Sequence, residues 1–257
     1  MRLLIDNEIR VSHMEKEEKR EITDWLTIDN PKYMQNERLG FSNYNVPRRL
    51  YFYKEDGPDL IVPTGLLNRL MNEFICEYID KRELGEKLEF GSKIKLYDYQ
   101  EEVVSRCIEK SIYENVTCDY MSGIIVMSAG SGKTQTALEL IARMGFRTLW
   151  LTHTNDLLNQ SYARAKQNLD CGLGKIAAGK IQMGSHITFA TVQTMSKLDL
   201  SEYKNMFDLV ITDECHRIFG TPASAGMFYK VISSLSARYK IGLTATPYRN
   251  VKGTELA

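Results

Sequence analysis

The chain has 257 residues, which is enough for one large domain or two modest ones. It carries 33 Lys+Arg and 33 Asp+Glu, so a formal net charge of zero gives no support to a strong non-specific attraction for nucleic acid, although a local basic groove is still allowed. The five cysteines form no CxxC pair, which argues against a zinc ribbon or a disulfide framework and favours a reducing, cytoplasmic (intracellular) compartment. No apolar run is as long as the roughly 18 residues that a membrane-spanning helix needs. The N-terminus also becomes charged too early for a signal peptide, so we expect no membrane partner.

The first 90 residues predict a small α+β domain. A short strand at the N-terminus is followed by a charged helical stretch over residues 15–25. Residues 49–53 and 59–62 flank an Asp-Gly-Pro turn and predict a hairpin, and the apolar residues of 66–79 keep helical spacing.

From about residue 96, helical and strand patterns alternate. We expect strands at 123–127, 147–152, 186–191, 207–212 and 239–243, with helices in most of the gaps. Such alternation predicts an α/β domain over residues 91–257, with a mostly parallel sheet flanked by helices and ligands at the carboxyl ends of the strands.

A glycine-rich loop follows the first of these strands and opens a helix. Its sequence, SAGSGKT over residues 128–134, lies in the strand–loop–helix context that a phosphate-binding loop needs. Lys133 would reach the β- and γ-phosphates of a nucleotide, and the Thr134 hydroxyl would hold Mg²⁺. The strict pattern has Gly where this chain has Met127, and the simpler alternative is a glycine turn that caps an ordinary helix. The candidate nucleotide-binding residues are Ala129, Gly130, Ser131, Gly132, Lys133 and Thr134.

Two further polar segments also follow predicted strands. Asp213 and Glu214 come directly after 207–212, where Asp213 would hold Mg²⁺ and Glu214 would position and deprotonate an attacking water. Two solvated acids in a turn are the alternative, and His216 alone could be a packed core histidine. Thr244 and Thr246, in GLTATP after 239–243, could relay a hydrogen bond from the acids, although this signal is weak alone.

SAGSGKT, DECH and LTATP, in this order and on these strand ends, resemble the superfamily 2 (DExH-box) helicases and translocases. The resemblance covers residues 96–250, most of one RecA-like lobe, and residues 237–249 look most like the XPB-like branch. It implies an ATP- and Mg²⁺-dependent motor in which Lys133, Asp213, Glu214 and His216 are catalytic, while Thr244 and Thr246 couple hydrolysis to movement.

Three more segments are similar to motifs of the same family. LYDYQ at 96–100 looks like the adenine-recognising Q motif, with Gln100 as the reader of the adenine edge. Residues 151–160 resemble motif Ia, with His153 where the family usually has Pro, and residues 191–194 resemble the Ib/Ic region. By this resemblance the nucleic-acid path includes Thr154, Gln160, Thr191, Gln193 and Thr194, although ordinary helix starts and caps would give the same residues.

Parts of residues 30–67 resemble a region ahead of the motor in some bacterial and phage members of that branch, where it engages nucleic acid. Arg48 and Arg49 could contact phosphates here, with Tyr51 and Tyr53 stacking on bases. Equally, the two tyrosines could be one face of a packed hairpin. The resemblance therefore implies an accessory domain over residues 1–90.

The combined prediction is an ATP-dependent nucleic-acid motor or its first lobe, with DNA favoured over RNA by resemblance alone. The family clamps ATP between two RecA-like lobes, and no second lobe is visible in this sequence. We therefore expect an N-terminal part of a longer protein that has negligible ATPase activity alone. The alternatives are a duplex-translocating motor subunit of a restriction or other defence system, and a non-motor P-loop ATP switch.

Overall fold

The computed structural model describes residues 1–113, 122–218, 220–246, 249–251 and 254–256. Pro247 of the LTATP motif and Cys118 lie outside them. The helices are α1 (Lys16–Trp25), α2 (Pro31–Leu39), α3 (Leu67–Glu73), α4 (Asp98–Tyr113), α5 (Lys133–Met144), α6 (Asn155–Asn168), α7 (Val192–Met195) and α8 (Met227–Ser233). The strands are β1 (Arg2–Ile5), β2 (Glu8–Ser12), β3 (Thr27–Asp29), β4 (Arg49–Tyr51), β5 (Lys54–Asp56), β6 (Asp59–Pro63), β7 (Glu77–Asp80), β8 (Gly91–Ser92), β9 (Ser122–Val126), β10 (Thr148–Thr152), β11 (Leu169–Asp170), β12 (Leu173–Ala177), β13 (Lys180–Gln182), β14 (Ile187–Thr191), β15 (Leu209–Asp213), β16 (Gly220–Thr221), β17 (Ser224–Ala225), β18 (Tyr239–Thr244), β19 (Arg249–Val251) and β20 (Thr254–Leu256).

The chain divides into two compact units. The small unit contains Met1–Lys81, Ile218–Tyr229 and Tyr248–Ala257, and the large unit contains Arg82–Arg217 and Lys230–Pro247. None of the helices in the described part of the chain is long and apolar enough to cross a bilayer.

The small unit is built on a five-stranded sheet in the order β5-β6-β2-β1-β7, in which β1 and β7 are parallel and the other neighbours antiparallel. Alternate residues of β1, β2 and β6 are buried, as expected for a sheet with one face against a core. The buried residues of this unit include Leu3, Ile5, Ile9, Val11, Ile22, Leu60, Val62, Leu67 and Leu70.

Two expectations for the small unit were wrong in detail. The predicted turn exists, with Gly57 at φ +60°, but it joins β5 to β6, because a two-residue turn pairs only the residues that adjoin it. Strand β4 pairs instead with β3, antiparallel. The apolar spacing of residues 66–79 predicted one helix, yet α3 ends at Glu73 and residues 77–80 form β7. Strand β7 forms because the edge of β1 offers it backbone hydrogen-bond partners, and the local spacing of apolar residues does not reveal such distant partners.

The large unit is built on a seven-stranded sheet in the order β13-β12-β14-β10-β15-β18-β9. All its neighbouring strands are parallel except β12 and β13. Strands β10, β14 and β15 are buried at every position, as expected for strands covered on both faces. The predicted α/β architecture is confirmed, and the carboxyl ends of β9, β18, β15, β10 and β14 lie side by side along one edge.

We predict that Phe189→Ala destabilises the large unit by about 3–5 kcal/mol, since the ring is fully buried on β14 and its loss leaves a cavity. The Phe189 ring centroid lies 5.7 Å from that of Trp150, so denaturant unfolding can be followed by Trp150 fluorescence in a Trp25→Phe background. The control is Ile181→Ala at an exposed position of β13, for which a change below about 0.5 kcal/mol is expected. Equal losses for the two variants would mean that the Phe189 ring does not support the core.

Candidate functional site

The loop between β9 and α5 is wound tightly by glycine geometry and internal hydrogen bonds. Gly130 and Gly132 have φ of +79° and +84°, in the left-handed region that favours glycine. A Cβ on Gly132 would collide with the side-chain amide of Gln100. Ser131 closes the loop, because its N–H and its hydroxyl both donate to the carbonyl of Ser128, at 3.2 and 2.7 Å.

Met127 explains the departure from the strict glycine pattern. Its side chain is part of the buried core, and its backbone carries no positive φ that would require glycine. Its carbonyl also accepts a hydrogen bond from Lys133 Nζ at 3.2 Å. The lysine ammonium is thus held over the loop, beside the N–H groups with which the α5 helix begins.

Gln100 ties the start of α4 to this loop. The residue is only 3% exposed, its Nε2 donates to the Ser131 carbonyl at 2.8 Å, and its Oε1 accepts from the Tyr97 N–H at 3.0 Å. The Tyr99 hydroxyl donates to the same Ser131 carbonyl at 3.0 Å. Two side chains of the 96–100 segment therefore fix the backbone of the glycine loop.

The two acids follow β15 in a constrained backbone. Asp213 is 7% exposed, and its Oδ1 accepts a hydrogen bond from the Glu214 N–H at 3.0 Å. Glu214 has φ +54°, an unfavourable conformation for a residue with a side chain and one that concentrates at functional sites. The backbone of Glu214 is therefore constrained on both counts.

Burial of Asp213 changes its acidity. Loss of solvation, together with the neighbouring Glu214 charge, raises the pKa of Asp213 to about 6, against the opposing effects of the Glu214 N–H and the cations Lys133 and Arg164. Burial likewise raises the pKa of the Cys215 thiol to about 11, which keeps it neutral and suits a packing role.

His216 connects the acids to the next strand. Its Nδ1 lies 3.1 Å from Glu214 Oε2 and 3.0 Å from Thr244 Oγ1, at the end of β18. The Thr244 hydroxyl oxygen accepts in turn from the Thr246 N–H at 3.1 Å. A continuous polar chain thus runs from Glu214 through His216 to Thr244 and Thr246.

Four of the predicted nucleic-acid-path residues lie at the ends of β10 and β14. Thr154 caps α6, accepting from the Leu157 N–H at 3.3 Å, and the hydroxyl oxygens of Thr191 and Thr194 are 2.9 Å apart. Gln193 Nε2 donates to the His153 carbonyl at 2.5 Å, so the two strand ends are hydrogen-bonded to each other. Arg48 and Arg49 lie in the small unit, both exposed, with Arg49 Nε 3.8 Å from Asp29 Oδ1.

Most of the other predicted site residues line one cavity of about 780 Å³. Gln100, the loop, Asp213 and Glu214 all line it, and so does Gln160, which the structure groups with the glycine loop rather than with Thr154 and Thr191. Sequence reasoning did not assign eight further lining residues to a site, namely Lys95, Tyr97, Tyr99, Gln135, Leu157, Arg164, Gln167 and Asn168. Gln160, Arg164 and Gln167 have the spacing of one helix face, but nothing in the sequence indicates which face of α6 meets the cavity.

The cavity offers oxygen ligands for a hard cation. Within the described ranges, no group of three or more His, Cys, Asp or Glu side chains could hold a metal ion by itself. Thr134 and Asp213 both line the cavity. One hydroxyl and one carboxylate are a sparse oxygen set that suits Mg²⁺, which usually shares its coordination among one or two carboxylates, waters and phosphates.

The chain belongs to the family described as Type III restriction enzyme, res subunit, which it matches over residues 93–249, more than half of its length. It is 35% identical over 161 residues to the DNA 3'-5' translocase XPB2 of Sulfurisphaera tokodaii, covering 62% of this chain and 32% of that protein. It is 27% identical over 196 residues to a putative DNA 3'-5' helicase Rad25 of Haloarcula marismortui, covering 72% of this chain and 28% of that protein. The chain thus spans about a third of the length of these curated relatives.

Among solved structures, the UvsW helicase of bacteriophage T4 is similar with a TM-score of 0.63 at 17% identity, covering 96% of this chain and 93% of that one. The SWI2/SNF2 ATPase core of Sulfolobus solfataricus is similar with a TM-score of 0.50 at 17% identity, covering 64% and 34%. At these identities the likeness concerns the fold alone. The resemblance to XPB-like superfamily 2 proteins and the RecA-like fold class are confirmed, and membership of the family implies the use of ATP.

We predict that Asp213→Asn stabilises the large unit at neutral and higher pH. A pKa raised from 3.8 to about 6 means that stability is lost as pH rises through this window, because above it the folded chain must bury an ionised carboxylate. Asparagine keeps the oxygen that accepts from Glu214, so the free energy of unfolding should increase by about 1–3 kcal/mol at about pH 8 and change little at about pH 4.

The measurement is denaturant unfolding followed by Trp150 fluorescence at both pH values. Glu202→Gln, at an exposed acid of the same unit, is the control. A destabilised Asp213→Asn variant at about pH 8 would show that the carboxylate is compensated by its surroundings rather than destabilising.

Proposed function

We propose that this chain is the ATP-binding part of a nucleic-acid helicase or translocase, and that ATP and Mg²⁺ bind in the cavity of the large unit. The observation that carries the proposal is that the glycine loop, Gln100, Asp213 and Glu214 line one cavity of about 780 Å³. This volume lies within the range of small-molecule sites. Family membership and the names of the relatives support the same reading.

In this proposal the loop and α5 bind the triphosphate. The N–H groups at the start of α5 and the Lys133 ammonium face phosphate oxygens, and Lys133 exchanges its contacts with the Met127 and Ser128 carbonyls for phosphate. Thr134 and Asp213 would hold Mg²⁺, which supplies charge neutralisation when bound. Gln100 would read the adenine edge by giving up a hydrogen bond within the chain, so base recognition and loop geometry are linked.

Glu214 is the proposed general base. Its positive φ and the hydrogen bond from its N–H to Asp213 hold its backbone, and the contact with His216 holds its carboxylate. In this arrangement Glu214 would orient the attacking water and accept its proton. His216 lies 3.1 Å from the Glu214 carboxylate and 3.0 Å from the Thr244 hydroxyl. We propose that this contact carries a change at Glu214 to the end of β18, and so couples hydrolysis to movement.

Nucleic acid is the proposed partner, with DNA favoured over RNA because the relatives are named as DNA translocases and helicases. Thr154, Thr191, Gln193 and Thr194 would line its path, since hydroxyls, amides and helix starts bind phosphates without cationic side chains. Arg48 and Arg49 would add contacts from an accessory domain over residues 1–90. We place the protein inside the cell, in the cytoplasm.

The matched part of this chain covers 32% and 28% of the length of the two relatives. We propose that hydrolysis requires a second RecA-like lobe that contributes arginines to the transferring phosphoryl group. An arginine finger typically contributes about 10³- to 10⁵-fold in rate. Binding of Mg·ATP can be tested on the 257 residues, whereas turnover has to be measured on the complete gene product.

Two substitutions separate binding from chemistry. Lys133→Ala should weaken Mg·ATP binding to the chain by about tenfold or more, because the triphosphate loses a charge-assisted partner. Glu214→Gln should leave that binding within about twofold and should stop nucleic-acid-stimulated hydrolysis by the complete gene product. Titration with a fluorescent ATP analogue and a phosphate-release assay on single-stranded, duplex and forked DNA and RNA measure the two effects.

Lys175→Ala is the control, since this half-buried lysine lies in the same unit and contacts Asn159 and Tyr162 but does not line the cavity. Full ATP affinity in Lys133→Ala would remove the nucleotide site from this cavity. Hydrolysis that no nucleic acid stimulates would instead favour an ATP switch over a motor.

Replacement of Arg48 and Arg49 together by alanine should weaken nucleic-acid binding for all sequences alike. It should also flatten the dependence of log K on log salt by up to about two units, one for each phosphate that the protein no longer neutralises. The control replaces Lys16 and Arg20, two exposed cations on α1 of the same small unit, and should leave the slope unchanged. Equal effects of the two pairs would mean that only the overall charge matters.

A further inference from the structure

A loop in the small unit displays two aromatic rings to solvent. This loop, residues 40–48, follows α2 and is called here the α2 loop. Phe41 is 64% exposed and Tyr44 is 85% exposed. Two large rings exposed on one short loop offer apolar faces that a binding partner can cover.

Backbone and amide hydrogen bonds hold the α2 loop in one shape. Gly40 adopts φ +73° at the end of α2, and the Phe41 N–H donates to the Asn36 carbonyl at 2.8 Å. Asn43 Nδ2 donates to the Tyr33 carbonyl at 3.2 Å, and Asn30 Nδ2 donates to the Pro47 carbonyl at 2.7 Å. Polar contacts therefore hold the backbone of the loop, and none of these contacts involves the rings of Phe41 and Tyr44.

The segment that contains the loop is basic, although Asp29, just before it, lies 3.8 Å from Arg49. Residues 30–49 contain four basic side chains, Lys32, Arg38, Arg48 and Arg49, and one acidic side chain, Glu37, whereas the whole chain has zero net charge. All four cations are exposed, and no described residue forms an ion pair with Arg38 or Arg48. This local excess of positive charge selects a polyanion over an apolar protein surface as the occupant.

We propose that Phe41 and Tyr44 of the α2 loop stack on unpaired bases of single-stranded nucleic acid. The inference rests on the proposed nucleic-acid function and deepens it. A duplex hides the faces of its bases, so exposed rings have a stacking partner only where bases are unpaired, while the basic side chains bind the adjacent phosphates. The ligand of the α2 loop is thus a single strand or the unpaired arm of a fork, and the rings contribute an affinity that salt does not remove.

The test compares two ligands that differ only in their bases. Fluorescence anisotropy gives the affinity of the 257-residue chain for a labelled DNA single strand and for a strand of equal length whose sites are abasic. Phe41→Leu/Tyr44→Leu, which keeps apolar bulk but removes both rings, should lose at least about tenfold affinity for the base-bearing strand. Its affinity for the abasic strand and for blunt duplex should stay within about twofold of wild type. The same measurement on an RNA strand distinguishes the two sources of unpaired bases.

Matched variants separate stacking from the effects of charge and of apolar bulk. Tyr44→Phe keeps the ring and should bind like wild type, and Ile75→Ala removes a 97% exposed apolar side chain elsewhere in the small unit and should do the same. Arg48→Ala/Arg49→Ala should weaken binding to both strands equally. Thermal unfolding confirms that each variant is folded.

Two results would overturn the inference. If the double leucine variant binds the base-bearing strand like wild type, or loses affinity for both strands alike, the rings do not stack on bases, and the arginine variants still test the proposed function on their own. If the rings instead bind a second copy of this chain, the wild-type chain would self-associate in analytical ultracentrifugation and the double leucine variant would not.

Discussion

Parallel pairing of β9, β18, β15, β10 and β14 is the constraint on which the candidate site depends. It places five carboxyl ends along one edge of the sheet, so short segments far apart in sequence become neighbours without long loops. The glycine loop, the acids and the Thr244–Thr246 segment follow three adjacent strands, and motif Ia and Thr191 follow the next two. Hydrogen bonds then join neighbours across the edge, from Glu214 to Thr244 through His216 and from Gln193 to His153.

The site is assembled at a cost to the fold. Asp213 is buried beside a second acid, Glu214 has a strained backbone, and Gly132 must lack a side chain so that Gln100 can reach the loop. Strands β10, β14 and β15 are buried at every position. Their apolar packing stabilises the sheet and offsets the unfavourable burial and backbone strain at its edge. Local strain at the edge and a fully buried sheet below it fit the proposed nucleotide site, whose groups would have to respond to a ligand.

Sequence reasoning was most successful where the pattern is local and repeated. The strands of the large sheet carry continuous apolar runs, and every predicted motif except the 96–100 segment follows one of them. Both the architecture and the position of Lys133, Asp213 and Glu214 at strand ends could therefore be predicted. The sequence failed where partners are distant. Residues 77–80 have helical spacing but form strand β7, because they pair with β1, more than 70 positions away in sequence. Strand β4 pairs with β3 and not, as predicted, with the strand after the turn.

The part of the cavity wall that α6 forms could not be predicted either. Arg164 and Gln167 belong to no motif. Tertiary packing, rather than local propensity, decides which face of a regular helix becomes part of a site. The roles of the site residues remain predictions, whereas their placement around one cavity is a property of the fold.

The division of the chain between its units has a consequence for how it is made. The small unit takes up residues 218–229 after most of the large unit, and β18 of the large unit comes later still. As synthesis proceeds from the N-terminus, neither unit has all its parts until the ribosome has passed β18. The five-stranded sheet of the small unit is nevertheless complete once β7 has been made, so the usual order, in which an N-terminal domain folds before its successor emerges, is open to this sheet alone. The small unit then gains its remaining segments, and the large sheet gains β18, only near the end of synthesis.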